Sequence, residues 1–192
     1  QGAKYTSLLY KNVTIDSSFS TNHWLKLKLE GHQYMLPNGG WSVSSNISAI
    51  GARVVLHLGD QDIMREIIGG SGHGNMEPLQ IHFGMNSYMS AQGMTIYWPS
   101  RDPETNQRKT TYVDGPIDAD LSYTFVEDIG FVGLKGDING DDIINVQDVV
   151  ISVNHALDGT VPDPAIFWAA DMNYDNILNI LDVVRILNVI LG

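Results

Sequence analysis

A chain of 192 residues with 43% hydrophobic content can bury one sizeable core and a small satellite, and is too apolar to be disordered throughout. Its 22 acidic against 11 basic side chains leave a net charge of −11, which repels phosphate backbones and excludes nucleic acid as a partner. Cysteine is absent, which removes disulfides, thiolate zinc sites and thiol nucleophiles together, and no apolar run is long enough to span a bilayer.

The chain opens at Gln1 with no signal peptide, as a processed, exported chain would, so an extracellular or cell-surface location is expected. Residues 1–20 read as an N-terminal arm with a strand-like stretch, in which Leu9, Val13 and Ile15 mix with Tyr10, Lys11, Asn12 and Thr14. Residues 21–132 read as a β-domain. From Trp24 the alternation sharpens, with Leu25, Leu27 and Leu29 interleaved with Lys26, Lys28 and Glu30. Further strands are expected at Ala52–Leu58, Ile63–Ile68, Leu79–Phe83 and Met94–Trp98, and another pair at Lys109–Val113 and Leu121–Val126. Short strands at this spacing, separated by Gly, Asn, Asp or Pro, predict an all-β antiparallel sandwich of the Ig-like kind. The triplets at Asn12 and Asn46 match the N-glycosylation pattern.

Four short motifs stand in the β-domain: Ile50-Gly51-Ala52-Arg53-Val54, the run from Arg65-Glu66 to Gly69-Gly70-Ser71-Gly72-His73, Gln80-Ile81-His82-Phe83-Gly84, and Ile96-Tyr97-Trp98-Pro99-Ser100. In these residues and their order the region resembles the ASPIC and UnbV family over roughly Trp24 to Ser100.

After Gly136 the period changes. Apolar residues fall at Val146, Val149, Val150, Val153 and Leu157, one stripe of a helix, and the stripe returns 34 residues later at Ile180, Val183, Val184, Leu187 and Leu191. Between the two, Ala165–Ala170 has the makings of a short helical turn. Residues 133–192 are therefore a duplicated helical module. They hold nine Asp, no Glu, and only Lys135 and Arg185 as basic residues, a balance of −7.

Each repeat begins with the same oxygen spacing. Asp137, Asn139, Asp141, Asn145 and Asp148 occupy positions 1, 3, 5, 9 and 12 of a 12-residue loop, with Ile143 offering its carbonyl at the seventh. Asp171, Asn173, Asp175, Asn179 and Asp182 repeat the set, with Ile177 at the seventh. Calcium takes six to eight hard oxygen ligands at about 2.3–2.6 Å, which such a loop can wrap around one ion, so two calcium ions are the expected cofactors. The turn position that is Gly in ordinary EF-hands is Asp142 and Asn176, which tolerate left-handed backbone comparatively well.

These residues, from Gly136 to Gly192, resemble the dockerin family of calcium-dependent docking modules, whose two loop-helix repeats bind cohesin domains on extracellular scaffolds. The resemblance implies a cohesin-like receptor as partner. The partner-reading positions, often Ser and Thr in dockerins, are Val146 with Gln147 and Ile180 with Leu181. If buried they would brace the chain's own β-domain, and if exposed they would favour a receptor.

Catalytic constellations are thin. Ser71 and His73 only partly match a nucleophile elbow, the six histidines lack i, i+4 pairing, and Glu66 with Glu77 or Asp60 with Asp62 are acids on predicted loops and edges. Trp24, Trp41, Trp98 and Trp168 could instead form a sugar-stacking platform. The expectation is a secreted, non-catalytic, calcium-binding structural protein. In the leading reading it assembles with copies of itself, the arm of residues 1–20 adding as a strand to a neighbour's sheet. The alternatives are a docking adaptor for a cohesin-like receptor and a polysaccharide-binding module.

Overall fold

The computed structural model describes residues 22–33, 42–70, 78–159 and 162–192. Strands β1 (His23–Glu30), β2 (Arg53–His57), β3 (Asp62–Glu66), β4 (Gln80–Asn86), β5 (Ser90–Arg101), β6 (Arg108–Asp118), β7 (Leu121–Val126) and β8 (Gly130–Val132) come first. Helices α1 (Val146–Asp158), α2 (Pro164–Ala170) and α3 (Ile180–Leu191) follow. The arm of residues 1–20, the Asn12 triplet, Trp41, Ser71, His73 and Glu77 lie outside the described residues. Among the described residues no helix is long and apolar enough to cross a membrane.

The strands make two four-stranded sheets, ordered β4-β1-β7-β8 and β3-β2-β5-β6. Alternation dictates the layering. Leu25, Leu27 and Leu29 of β1 turn inward with Phe83 of β4 and Phe125 of β7, and share one core with Val54 and Leu56 of β2 and Met94, Ile96 and Trp98 of β5. The Trp98 indole satisfies its buried N–H on Thr111 Oγ1 at 2.8 Å.

The β-sandwich expected from the strand spacing is present, and differs from the expectation in strand direction and in strand length among other points. β1 and β7 run parallel, from Leu25 beside Leu121 to Glu30 beside Val126, where an antiparallel sandwich was expected. Alternation carries no information on direction, because the same leucines face inward either way. The second difference is length. β5 reaches from Ser90 to Arg101, beyond the expected Met94–Trp98, by absorbing register shifts between Ala91 and Gly93 and between Tyr97 and Arg101. Gly93 is required at the first shift, since a Cβ there would stand 2.5 Å from the Val113 carbonyl oxygen.

The helical module has its own smaller core of Ile138, Ala170 and Ile186, flanked by Ile144, Val149, Leu178 and Ile190. α1 and α3 start where they do because Asn145 with Asp148, and Asn179 with Asp182, form reciprocal capping boxes. Asp163 caps α2, with Pro164 in its first turn. The expected apolar stripes are only partly inward. Val183 is buried together with Ile186, whereas Val146, Val150, Leu157, Ile180, Val184 and Leu191 are exposed. Asp148, Ser152 and Asp182 are the residues turned inward instead, which rotates each helix and swings the leading edge of its stripe into solvent.

Candidate metal centres

Both repeats fold their loop by one hydrogen-bond scheme. In the first, Asp137 Oδ1 accepts from the Gly140 amide at 2.8 Å and Oδ2 from the Asp142 amide at 2.8 Å. Asn139 Oδ1 accepts from the Asp141 amide, Asp141 Oδ1 from the Ile143 amide and Asn145 Oδ1 from the Gln147 amide. Asp148 closes the loop, its Oδ1 accepting from the Ile138 amide at 2.8 Å and its Oδ2 from the Asn145 amide at 2.9 Å. The second loop repeats the steps at Asn173, Asp175 and Asn179, and Asp182 accepts from the Met172 and Asn179 amides at 3.0 Å each. Asp142 and Asn176, at the turn position, take left-handed backbone with φ of 64° and 62°. The carbonyls of Ile143 and Ile177 accept from the Asn145 and Asn179 side-chain amides at 3.3 Å each, while both isoleucine side chains are exposed.

Asp137, Asp148, Asp171 and Asp182 are all buried, an expensive concentration of carboxylates without basic partners of their own in the loops. Burial pushes the Asp182 carboxyl above its usual range against the pull of the Asn179 amide, and the charges of Asp171 and Asp175 push the same way. One atom departs from the scheme. Asp171 Oδ2 accepts from the Asn176 amide at 3.0 Å, but Asp171 Oδ1 is buried with no hydrogen-bond partner. A buried carboxylate oxygen without a partner, in a loop that repeats Asp and Asn at the ligand spacing, fits a hard cation such as calcium, and the absence of thiol and imidazole from the loops disfavours softer metals. Among the described residues no three His, Cys, Asp or Glu side chains converge as a ready cage. The loop oxygens are instead engaged with loop amides.

Around the second loop lies a polar clamp that joins the module to the β-domain. Trp168 of α2 is buried beside Val126 and Ala169, with Ile129 and Val132 packed around them, and its indole N–H donates to Glu30 Oε2 at 3.0 Å. Glu30, placed on the polar side of β1 by alternation, is therefore buried, with Lys28 as its ion-pair partner. The Lys135 ammonium donates to the Trp168 carbonyl and stands 4.5 Å from the Trp168 ring centroid and 4.0 Å from that of Tyr174. Burial lowers its pKa to about 8, against the upward pull of Asp171 and Glu30. A cavity of about 240 Å³ opens beside the clamp, lined by His32, Asn46, Lys135, Trp168, Asp171 and Tyr174 among others.

The other expected site residues are dispersed. Glu66 pairs with Arg53 at 3.5 Å, Asp62 with His57 Nδ1 at 2.8 Å, and Asp60 accepts from the Tyr88 hydroxyl. Trp98 lies in the sandwich core, Trp24 contacts His82 on the outer side of β1, and Trp168 lies in the clamp, so these three make no common sugar platform. The Asn46 side chain is folded onto the Ile50 backbone, accepting at 2.9 Å and donating at 3.0 Å. Sequence reasoning missed Glu30, Lys135 and Tyr174 as clamp residues. The available signals were a lone lysine in an otherwise acidic module and a tyrosine where the first loop has Gly140.

Residues 42–128 match the family model described as ASPIC and UnbV. The matched segment starts after β1 and ends just past β7, so it covers more of the C-terminal part of the sandwich than the expected Trp24–Ser100 and leaves β1 out. No curated protein matched the chain, and no solved structure did.

Proposed function

We propose that this is a non-catalytic, extracellular docking protein in which two calcium ions fold the helical module and the module's outer face binds a protein receptor of the cohesin type. The observation that carries the docking reading is the exposure of a repeated apolar edge. Val146 and Val150 on α1, and Ile180 and Val184 on α3, are exposed although their spacing is that of a buried stripe, and Leu181 is exposed next to Ile180. Because the edges stand at equivalent places in the two repeats, they offer a receptor two similar surfaces. The calcium reading is supported by the repeated oxygen spacing and by the orphaned oxygen of Asp171. Extracellular calcium is concentrated enough to fill loops of modest affinity.

The measurement is titration calorimetry of the whole chain against a panel of cohesin domains in calcium. Binding to at least one, weakened at least tenfold by the pair Val146→Lys and Ile180→Lys, is the expected result for anchors at an interface centre. Silence across the panel would argue against the receptor class.

Self-assembly remains a second reading, favoured by one observation. Among the described residues β6 pairs only with β5, which leaves the far edge of an 11-residue strand open for an added strand. Electron microscopy in calcium separates the readings. Filaments that disappear on removal of residues 1–20 would replace docking by homopolymerisation, and dispersed particles in both samples would exclude it.

A further inference from the structure

The two loops share a fold but differ at position four, and the difference faces the β-domain. In the first loop this position is Gly140, with φ of 74° and open space where a Cβ would point. In the second it is Tyr174, an aromatic residue held at φ of 60°, a backbone conformation that disfavours any bulky side chain. That conformation presents the ring to the Lys135 ammonium. Asp171 links the same loop to α2. Its amide donates to the Phe167 carbonyl at 2.9 Å, ending the helix three residues after Trp168, while its unpaired Oδ1 lies buried in the loop.

We infer that the second loop, and not the first, locks the helical module onto the β-domain: a cation held at Asp171 fixes the end of α2 and Tyr174 around Lys135, which keeps Trp168 on Glu30. The inference rests on the calcium reading above and adds a division of labour between the loops. The charges are compatible with it. Asp171, Asp175 and Asp182 outnumber a divalent cation by one negative charge, so the filled loop still attracts Lys135. The empty loop, by contrast, holds three carboxylates in mutual repulsion, and releasing that repulsion by opening would carry Tyr174 and the end of α2 away from the clamp.

The test follows the Trp168 indole N–H by nuclear magnetic resonance of the full chain, its signal assigned with Trp168→Phe, alongside calorimetry with calcium alone as the probe. In the unaltered protein, calcium should slow exchange of that proton. Asp137→Asn should lose one calcium and keep the protected indole, whereas Asp171→Asn should lose one calcium and the protection together. Tyr174→Gly installs the residue of the first loop and relieves its backbone, so it should keep both calcium ions and still lose protection. Loss of protection in Asp137→Asn equal to that in Asp171→Asn, or full protection in Tyr174→Gly, overturns the inference while leaving calcium binding intact. Absence of calcium binding to the unaltered protein overturns the reading beneath it as well.

Discussion

Chelating calcium is expected to split the melting of this protein into an early transition of the helical module and a later, unmoved transition of the β-domain. Among the described residues the module buries few apolar side chains of its own, Ile138, Ala170, Val183 and Ile186 besides the Trp168 and Ala169 that pack with Val126, too little to offset the ordering of some sixty residues and the closing of two acidic loops. A ligand at a hundred times its dissociation constant adds about 2.7 kcal/mol per site, so two loaded loops would supply roughly 5 kcal/mol. That exceeds what the small core can spare. Scanning calorimetry in calcium and in excess chelator checks it, and magnesium at equal concentration should restore little, because the smaller ion demands a tighter octahedral shell. Identical thermograms with calcium and with chelator would remove calcium from the account.

How far the sequence carried the structure depended on what each pattern encodes. Leu25, Leu27 and Leu29 announced β1 and its inward face because a period of two maps directly onto a half-buried strand. The same pattern did not report the burial of Glu30. Alternation assigns it to the outer face, and it is on that face, but a second domain covers the outer face there, and no local pattern reports a long-range partner such as Trp168. β8 escaped for a different reason, since Gly130–Val132 is too short to show any period. In the helical module the apolar stripe of each repeat placed its helix start, at Val146 and at Ile180, where Asn145 with Asp148 and Asn179 with Asp182 form the capping boxes. It did not place the buried helical face, because that face is set by the acids turning into their loops. Spacing also could not reveal that Asp171 Oδ1 lacks the amide partners that Asp137 Oδ1 has, which is one of the differences between the two copies.

Within the β-domain the largest single loss is expected from Glu127→Ala. Glu127 is fully buried at the end of β7 and joins three segments. Its Oε2 accepts from the Ser45 amide at 2.7 Å, its Oε1 from the Ser100 hydroxyl at 2.6 Å, and Lys109 Nζ stands 3.3 Å from Oε1. The Glu127 amide in turn donates to the Glu30 carbonyl at 2.8 Å, so the network reaches the strand that carries the clamp. Truncation leaves the Ser45 amide and the Ser100 hydroxyl buried without their acceptor and opens a cavity, a combination that typically costs about 3–5 kcal/mol. Lys109 keeps Asp128 as a partner and softens only part of this. Glu127→Gln preserves the shape but turns one acceptor into a donor facing a donor, so it should cost less, about 1–3 kcal/mol. Urea unfolding of the β-domain transition in chelator isolates the effect from the helical module. A Glu127→Ala midpoint within error of the unaltered protein would mean that the loop at Ser45 is held by its apolar neighbours, Ala49 and Ala52, and that the buried acid contributes nothing to the sandwich.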